Sequence, residues 1–211
     1  SIEATLGESR DPKALEAVVA ALDGADAATR RSLVDILSWR RQQAEPYAER
    51  LRAILDADPD EEVQRSVLRA LGRIGDRASG ERLLQVAEGG GPLAPAAVQA
   101  IHELNNPETI DVLASRWDKM GPSGRAALMN AAQRLAMPTP ALFDLAAANL
   151  RDGDESLRTN AARLLGRRGR SESVEPLVDF LRRASSQRER TAGFEALLKI
   201  ESRDAAEAVL A

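Results

Sequence analysis

The chain has 211 residues, of which 44% are hydrophobic and only 3% aromatic, and it contains no cysteine. Because Ala, Leu and Val supply most of the apolar content, the composition favours closely packed helices and argues against an all-β fold. The 29 basic and 33 acidic residues give a net charge of -4, which is not the strongly basic balance of a nucleic-acid or anionic-membrane binder. The lack of cysteine excludes disulfides, thiolate metal ligands and a cysteine nucleophile.

The N-terminal part of the chain predicts two helix pairs. Residues 1–7 offer only a stub for a leading helix, and Asp11-Pro12 opens a second helix. The apolar stripe of that helix consists of Leu15, Val18, Val19 and Leu22. In the next and slightly longer unit, Ile36 and Trp39 occupy core columns of the pattern. We therefore expect Trp39 to be buried.

The clearest unit runs from Glu61 to Glu88 and predicts two helices around a tight turn. Gly75-Asp76 ends the first of them, since Gly is the preferred residue after a helix C-terminus. The first stripe is Val63, Val67, Leu71 and Ile74, and the second is Leu83, Leu84 and Ala87. These spacings predict two amphipathic helices that bury one face each.

The same pattern recurs to the end of the chain. One repeat further on, the first stripe is Leu93, Ala97, Ile101 and Leu104, the turn is Asn105-Asn106-Pro107, and the second stripe is Leu113, Ala114 and Trp117. Later copies are marked by Leu135, by Leu165-Gly166, by Leu177 on a second helix, and by Leu197 with Ile200. The periodicity predicts about seven helix pairs. Because an isolated pair would expose apolar surface on both sides, neighbouring pairs must stack into a solenoid.

Three segments resemble the A-L-G-x-I-G-D-P-x-A-V repeat of the HEAT family, in the short variety typified by phycobilin lyase subunits. They are Ala70 to Asp76, Leu164 to Arg170, and Asp11 to Leu15. The resemblance implies an all-α, right-handed α-solenoid in which second helices line the concave face. The turns at Asn105-Asn106, Ala136-Met137 and Glu201-Ser202 depart from Gly-Asp, so those units are degenerate.

The resemblance covers nearly the whole chain, so we expect a single HEAT-repeat solenoid over residues 1–211. The apolar Val209 and Leu210 close the sequence without a polar cap, although solenoids need polar ends for solubility. We therefore expect a fragment of a longer protein with further domains, or self-association through the exposed ends. High Arg and Ala usage suggests a bacterial source. No apolar run approaches the length of a membrane span, and a cytoplasmic location is slightly favoured, with a signal upstream of Ser1 left open.

The pair His102-Glu103 is the one feature that points to metal chemistry, because HEAT-like deoxyhypusine hydroxylases bind two irons through several His-Glu pairs. His102 is the only histidine of the chain, and one imidazole with one carboxylate cannot satisfy a metal ion. Acidic pairs such as Asp154-Glu155 lie where helices begin and predict capping. We expect no metal, no cofactor and no catalytic residues.

A cluster of arginines marks one repeat near the C-terminus. Arg168 occupies a column that is apolar in the other units, so it requires a salt bridge, snorkelling to water, an acidic partner or a phosphate. Phe143 and Phe180 lie one position off the inner stripe of their second helices, which makes them candidates for exposed anchors. The predicted partner-binding residues are Arg167, Arg168, Arg170, Phe180, Arg182, Arg183 and Phe143.

The function predicted from these features is that of a non-catalytic scaffold or adaptor that holds a protein partner on the concave face of the solenoid, with an acidic surface as the best match to the arginines. Two alternatives remain open: a chaperone-like, cofactor-handling subunit related to phycobilin lyases, and a nucleic-acid binder resembling HEAT-like DNA glycosylases. A nucleic-acid binder would need a basic track along the concave face, and the net charge of -4 argues against it.

Overall fold

The computed structural model describes residues 12–167 and 171–200, and these residues form α-helices and short 3₁₀ helices with no β-strand. Six α-helices come from the first half of the chain: α1 (Pro12–Ala21), α2 (Ala27–Arg40), α3 (Ala48–Ala57), α4 (Glu61–Ile74), α5 (Arg77–Glu88) and α6 (Ala94–Glu103). Six more follow: α7 (Pro107–Ala114), α8 (Pro122–Ala132), α9 (Pro140–Asn149), α10 (Glu155–Leu165), α11 (Val174–Arg183) and α12 (Gln187–Lys199). The 3₁₀ helices are Arg41–Tyr47, Trp117–Lys119 and Ser171–Ser173. No helix in the described ranges is long and apolar enough to cross a membrane.

The turn between α4 and α5 shows how the sequence sets the helix ends. Asp60 precedes α4, and its side chain accepts hydrogen bonds from the backbone N–H groups of Glu62 and Val63 at 2.9 and 3.0 Å. Gly75 ends α4 in the left-handed conformation, with φ 73°. Asp76 follows at once and caps α5 by accepting a hydrogen bond from Ser79 N–H at 3.2 Å. The Gly-Asp pair therefore stops one helix and starts the next, as predicted.

The helices form two compact units that divide between Leu113 and Ala114. In the first unit, the first helices of successive pairs (α2, α4 and α6) pack side by side, and the second helices α3 and α5 pack against them. In the second unit, α8, α10 and α12 form the row of first helices, with α9 and α11 as second helices. Each unit is a stack of helix pairs, so the fold class is the predicted all-α repeat solenoid. That one solenoid continues through all 211 residues stays a prediction.

Most of the predicted core is buried in the described residues, whereas the stripe positions Val19, Ala87, Leu93 and Ala114 are only half-buried. The buried members include Val67, Leu71, Ile74, Leu83, Leu84, Ile101, Leu104, Leu113, Leu165, Leu177 and Leu197. Trp117 is also buried, as expected. The chain ends and Arg168 to Arg170 lie outside the described residues.

Trp39 contradicts the prediction, because 72% of its surface is exposed. The buried residues of α2 are Leu33, Val34, Ile36, Leu37 and Ser38. Trp39 lies one residue further round the helix, and α2 ends immediately afterwards at Arg40. Ile36, the other position that the pattern placed in the core of this unit, is buried as predicted, so the pattern fails only at its last position, where the helix ends.

First helices approach each other most closely at glycines. A Cβ atom on Gly72 of α4 would lie 2.3 Å from the carbonyl oxygen of Ala100 on α6. In the second unit, a Cβ atom on Gly166 would lie 2.4 Å from the Cα atom of Ala196 on α12. These distances are shorter than van der Waals contact, so only glycine permits the observed spacing of the helices.

We therefore expect Gly72→Ala to lower the free energy of unfolding by about 1–3 kcal/mol, because the added methyl group overpacks a backbone contact that has no flexible atom to yield. Urea denaturation monitored by circular dichroism measures the loss. Gly153→Ala is the matched control, since nothing lies within 4 Å of the Cβ position at Gly153. Equal stability of the two variants would contradict the close approach of α4 and α6.

Candidate functional site

Phe143 and Phe180 are not exposed anchors, contrary to the prediction. Their exposed fractions are 7% and 2%. Phe143 lies beside the buried Leu142 and Ala146 on α9. Phe180 packs against α12 at Gly193. A core-facing helix buries a stripe wider than one column, so a position next to the stripe is still inside. Both residues are therefore part of the core of the second unit.

The predicted arginines lie in two different places. Arg168 and Arg170 fall outside the described residues. Arg167 lines a groove with Gln133, Arg163, Gly166 and Lys199, which we call the basic groove. Arg183 lines another groove, between α9 and α11, which we call the mixed groove; its other lining residues are Ala147, Ala148, Leu150, Arg151, Glu175, Pro176 and Asp179. The structure does not bring Arg167 together with Arg182 and Arg183.

The basic groove has a volume of about 540 Å³ and lies at the carboxyl ends of the first helices of the second unit. Arg163 belongs to the last turn of α10, and Lys199 is the last residue of α12. No ion pair links Arg163, Arg167 or Lys199 to a carboxylate in the described part of the chain. Cations at helix C-termini complement the helix dipole. None of the described residues that line the groove is acidic.

The mixed groove, with a volume of about 430 Å³, is internally paired. The carboxylate of Asp179 lies 3.7 Å from the Arg151 guanidinium and 3.4 Å from that of Arg182. The Arg183 Nε–H donates a hydrogen bond to the backbone oxygen of Asp179 at 3.0 Å. Arg182 and Arg183 therefore already have acceptors on their own helix, and the lining carries as many acidic as basic side chains.

A buried ion pair joins α10 to α12 in the same unit. Glu189 is only 2% exposed, and its Oε1 accepts a hydrogen bond from Arg158 Nε–H at 2.7 Å. Its Oε2 accepts hydrogen bonds from the N–H groups of Ser185 and Ser186, at 2.7 and 3.2 Å, and from the Ser185 hydroxyl at 3.0 Å. Burial by itself would raise the pKa of Glu189, but the hydrogen bonds from Ser185, Arg158 and Ser186 lower it from 4.5 to about 2. This network holds helices together and lies away from the grooves.

In the first unit, the guanidinium carbon of Arg73 lies 4.5 Å from the centroid of the exposed Trp39 ring. Arg73 NH1 donates a hydrogen bond to Ser38 Oγ at 3.0 Å, and Arg73 Nε lies 3.9 Å from Glu103 Oε2. Beside it is a groove of about 520 Å³, which we call the Trp39 groove. It is lined by Arg40, Arg41, Gln43, Glu45, Arg73, Ile74, Asn105, Asn106 and Pro107.

The sequence pattern missed this site because the repeat placed Trp39 in the core. The adjacent Arg40-Arg41 at the end of α2 is the one signal that points to it.

The structure also describes His102 and Glu103, the pair whose sequence points to metal chemistry. Glu103 faces Arg73 as described, and His102 is half-buried near the end of α6. Among the described residues, no three His, Asp or Glu side chains come close enough to hold a metal ion.

Comparison with known proteins supports the fold. The family model for HEAT repeats matches residues 48–133. An engineered protein solved by the Northeast Structural Genomics Consortium has a TM-score of 0.52 and 17% identity over 94% of this chain and 61% of that protein. The chain thus spans less than two thirds of that protein's length.

Two further solved structures are similar. A designed armadillo repeat protein in complex with the peptide (KR)4 has a TM-score of 0.52 and 17% identity, covering 92% of this chain and 100% of that one. The complex of CpcE and CpcF of phycocyanin lyase from Nostoc sp. PCC7120 has a lower TM-score of 0.41, with 18% identity over 95% of this chain and 82% of that one. No curated protein matches the chain. Residues 48–133 therefore match the HEAT-repeat model, and the described, all-helical part of the chain has a fold similar to that of repeat solenoids.

Proposed function

We propose that the protein is a non-catalytic adaptor, and that the basic groove of the second unit receives an acidic surface of a protein partner. HEAT-repeat solenoids suit this role because stacked pairs present extended surfaces for binding. The observation that carries the proposal is the lining of the basic groove, where three cationic side chains lie together and none of the described lining residues is a carboxylate.

Carboxylates fit this groove by geometry as well as by charge. A guanidinium binds a carboxylate through two parallel hydrogen bonds, and such charge-assisted bonds are about twice as strong as neutral ones. Arg163 and Arg167 are both half-buried, so a carboxylate between them would be partly removed from water. Screening by solvent is weaker there than at a fully exposed arginine.

The mixed groove is a poorer match to an acidic partner, although it contains Arg183 and lies between second helices. Asp179 already forms ion pairs with the neighbouring Arg151 and Arg182. An incoming carboxylate would have to displace that residue and would meet Glu175 in the same lining. The proposal therefore assigns the acidic partner to Arg163, Arg167 and Lys199.

A protein partner is favoured over a nucleic acid because the net charge of -4 opposes the approach of a long polyanion. Three cations are enough for a local acidic patch of a protein.

The test is affinity capture from extracts of the native host, with three forms of the chain as bait. We expect Arg163→Glu with Arg167→Glu to reduce recovery of the partner by about tenfold, which corresponds to about 1.4 kcal/mol of binding free energy. Arg182→Glu with Arg183→Glu is the matched control and should retain the partner. Circular dichroism and melting temperature should be unchanged in both double variants.

Three results would overturn the proposal. Equal recovery by all three baits would remove the basic groove from consideration, and loss with only the control variant would transfer the site to the mixed groove. Loss of the captured material after nuclease treatment would show a nucleic-acid ligand instead.

A further inference from the structure

The Trp39 side chain presents an aromatic surface that is both exposed and held in place. Trp is over-represented at the hot spots of protein interfaces, so an exposed Trp beside a groove is a candidate contact for a partner. The Arg73 guanidinium stacks on the ring at 4.5 Å from its centroid. Because Arg73 is itself fixed by Ser38 and Glu103, the ring is positioned before any ligand arrives.

Among the described residues that line the groove next to this ring, basic side chains outnumber acidic ones, although Arg73 is already paired with Glu103 outside the lining. The lining contains three guanidinium groups, from Arg40, Arg41 and Arg73, and one carboxylate, from Glu45. The side-chain amides of Gln43, Asn105 and Asn106 also line it. Amides both donate and accept hydrogen bonds, so they can pair with the backbone of an extended peptide.

Arg41 has a backbone conformation that the local sequence does not favour. Its φ is 44° and its ψ is -115°, and among the described residues it is the one non-glycine residue with positive φ. Glycine adopts this region readily, since it has no Cβ atom. Strained positions of this kind cluster where a ligand is bound. The Arg41 side chain is exposed and lines the groove.

We infer that the Trp39 groove binds an extended acidic segment of a protein partner, with a carboxylate on Arg41 and a neighbouring apolar side chain on Trp39. This inference rests on one part of the proposed function, namely that the protein binds a protein partner. Charge complementarity favours an acidic over a basic segment, because a cationic side chain would meet Arg73 on the ring and Arg41 at the rim. The site is separate from the basic groove, which belongs to the other unit.

The test uses the full chain, a peptide of four Glu-Leu repeats and its Lys-Leu counterpart as the probes, and tryptophan emission as the readout. The chain has two tryptophans, and the second, Trp117, is buried in the second unit. The difference between the wild type and Trp39→Phe therefore reports on Trp39 alone. We expect the Glu-Leu peptide to shift Trp39 emission to shorter wavelength in a saturable way, and the Lys-Leu peptide to have no effect.

Two substitutions of Arg41 separate binding from folding. Arg41→Glu should weaken binding of the Glu-Leu peptide by about tenfold, the loss typical of a residue at the centre of an interface. Arg41→Gly should weaken binding similarly but raise the melting temperature, because it relieves the backbone strain. A loss of binding together with a gain in stability cannot be attributed to unfolding.

The variant with Arg163→Glu and Arg167→Glu should leave the Trp39 signal unchanged, so failure of the proposed function and failure of this inference are distinguishable. Three outcomes would overturn the inference: no shift of Trp39 emission with the Glu-Leu peptide, an equal shift with the Lys-Leu peptide, or wild-type affinity in Arg41→Gly. A shift that follows protein concentration without any peptide would show that a second copy of the chain occupies the groove.

Discussion

Replacing Glu189 by Gln is expected to lower the free energy of unfolding by about 3–5 kcal/mol, the loss typical of breaking a buried ion pair. The substitution leaves the Arg158 guanidinium, which lies mostly out of solvent, without its counter-charge. It also weakens the capping box that Glu189 forms with Ser186 at the start of α12. Urea denaturation at neutral pH measures the loss.

The pH dependence of this loss in stability tests whether the ionised carboxylate of Glu189 causes it. Because the pKa of Glu189 is lowered from 4.5 to about 2, its stabilisation is complete above pH 4.5 and is lost as the pH falls through 2. A shift of this size corresponds to about 3 kcal/mol. The difference in free energy of unfolding between the wild type and Glu189→Gln should therefore disappear as the pH falls from 4.5 to 2. Glu175→Gln, at an exposed position, should match the wild type throughout, and an advantage that did not depend on pH would contradict the ion-pair explanation.

Replacing Leu71 by Ala should lower the free energy of unfolding by about 2–5 kcal/mol. Leu71 is completely buried on α4, which packs against α2 and α6 on either side. Truncation would remove apolar contacts and leave a cavity between layers that cannot collapse without moving whole helices. The matched control is Leu198→Ala on α12, which should change stability by no more than about 0.5 kcal/mol, because Leu198 is 69% exposed. Similar losses in the two variants would show that the repeat register is wrong.

The repeat was predictable because local rules agree with one another along most of the chain. The apolar spacing around Leu71 and the Gly75-Asp76 turn specify the helices, their ends and their buried faces without any distant contact. Trp39 was mispredicted because it lies beyond the buried face of α2, which ends at Ser38, and one residue before the end of the helix. Phe143 and Phe180 were mispredicted because a single-column stripe underestimates how much of a helix face is buried.

The candidate sites depend on contacts between residues that are distant in sequence, and a pattern does not reveal them. The sequence shows many arginines near residue 170, but it does not show that Asp179 reaches back to Arg151 or that Arg167 lines a different groove from Arg183. Likewise, the pairing of Arg73 with Trp39 joins two helix pairs and appears only in the folded chain.

The most direct test of the adaptor proposal is hydrogen–deuterium exchange of the chain bound to its captured partner. The proposal predicts slower exchange in the peptides that contain Arg163, Arg167 and Lys199. Those that contain Arg151 and Asp179 should exchange as they do in the free chain. Protection confined to Arg151 and Asp179, or no protection in the second unit, would contradict the assignment of the partner to the basic groove.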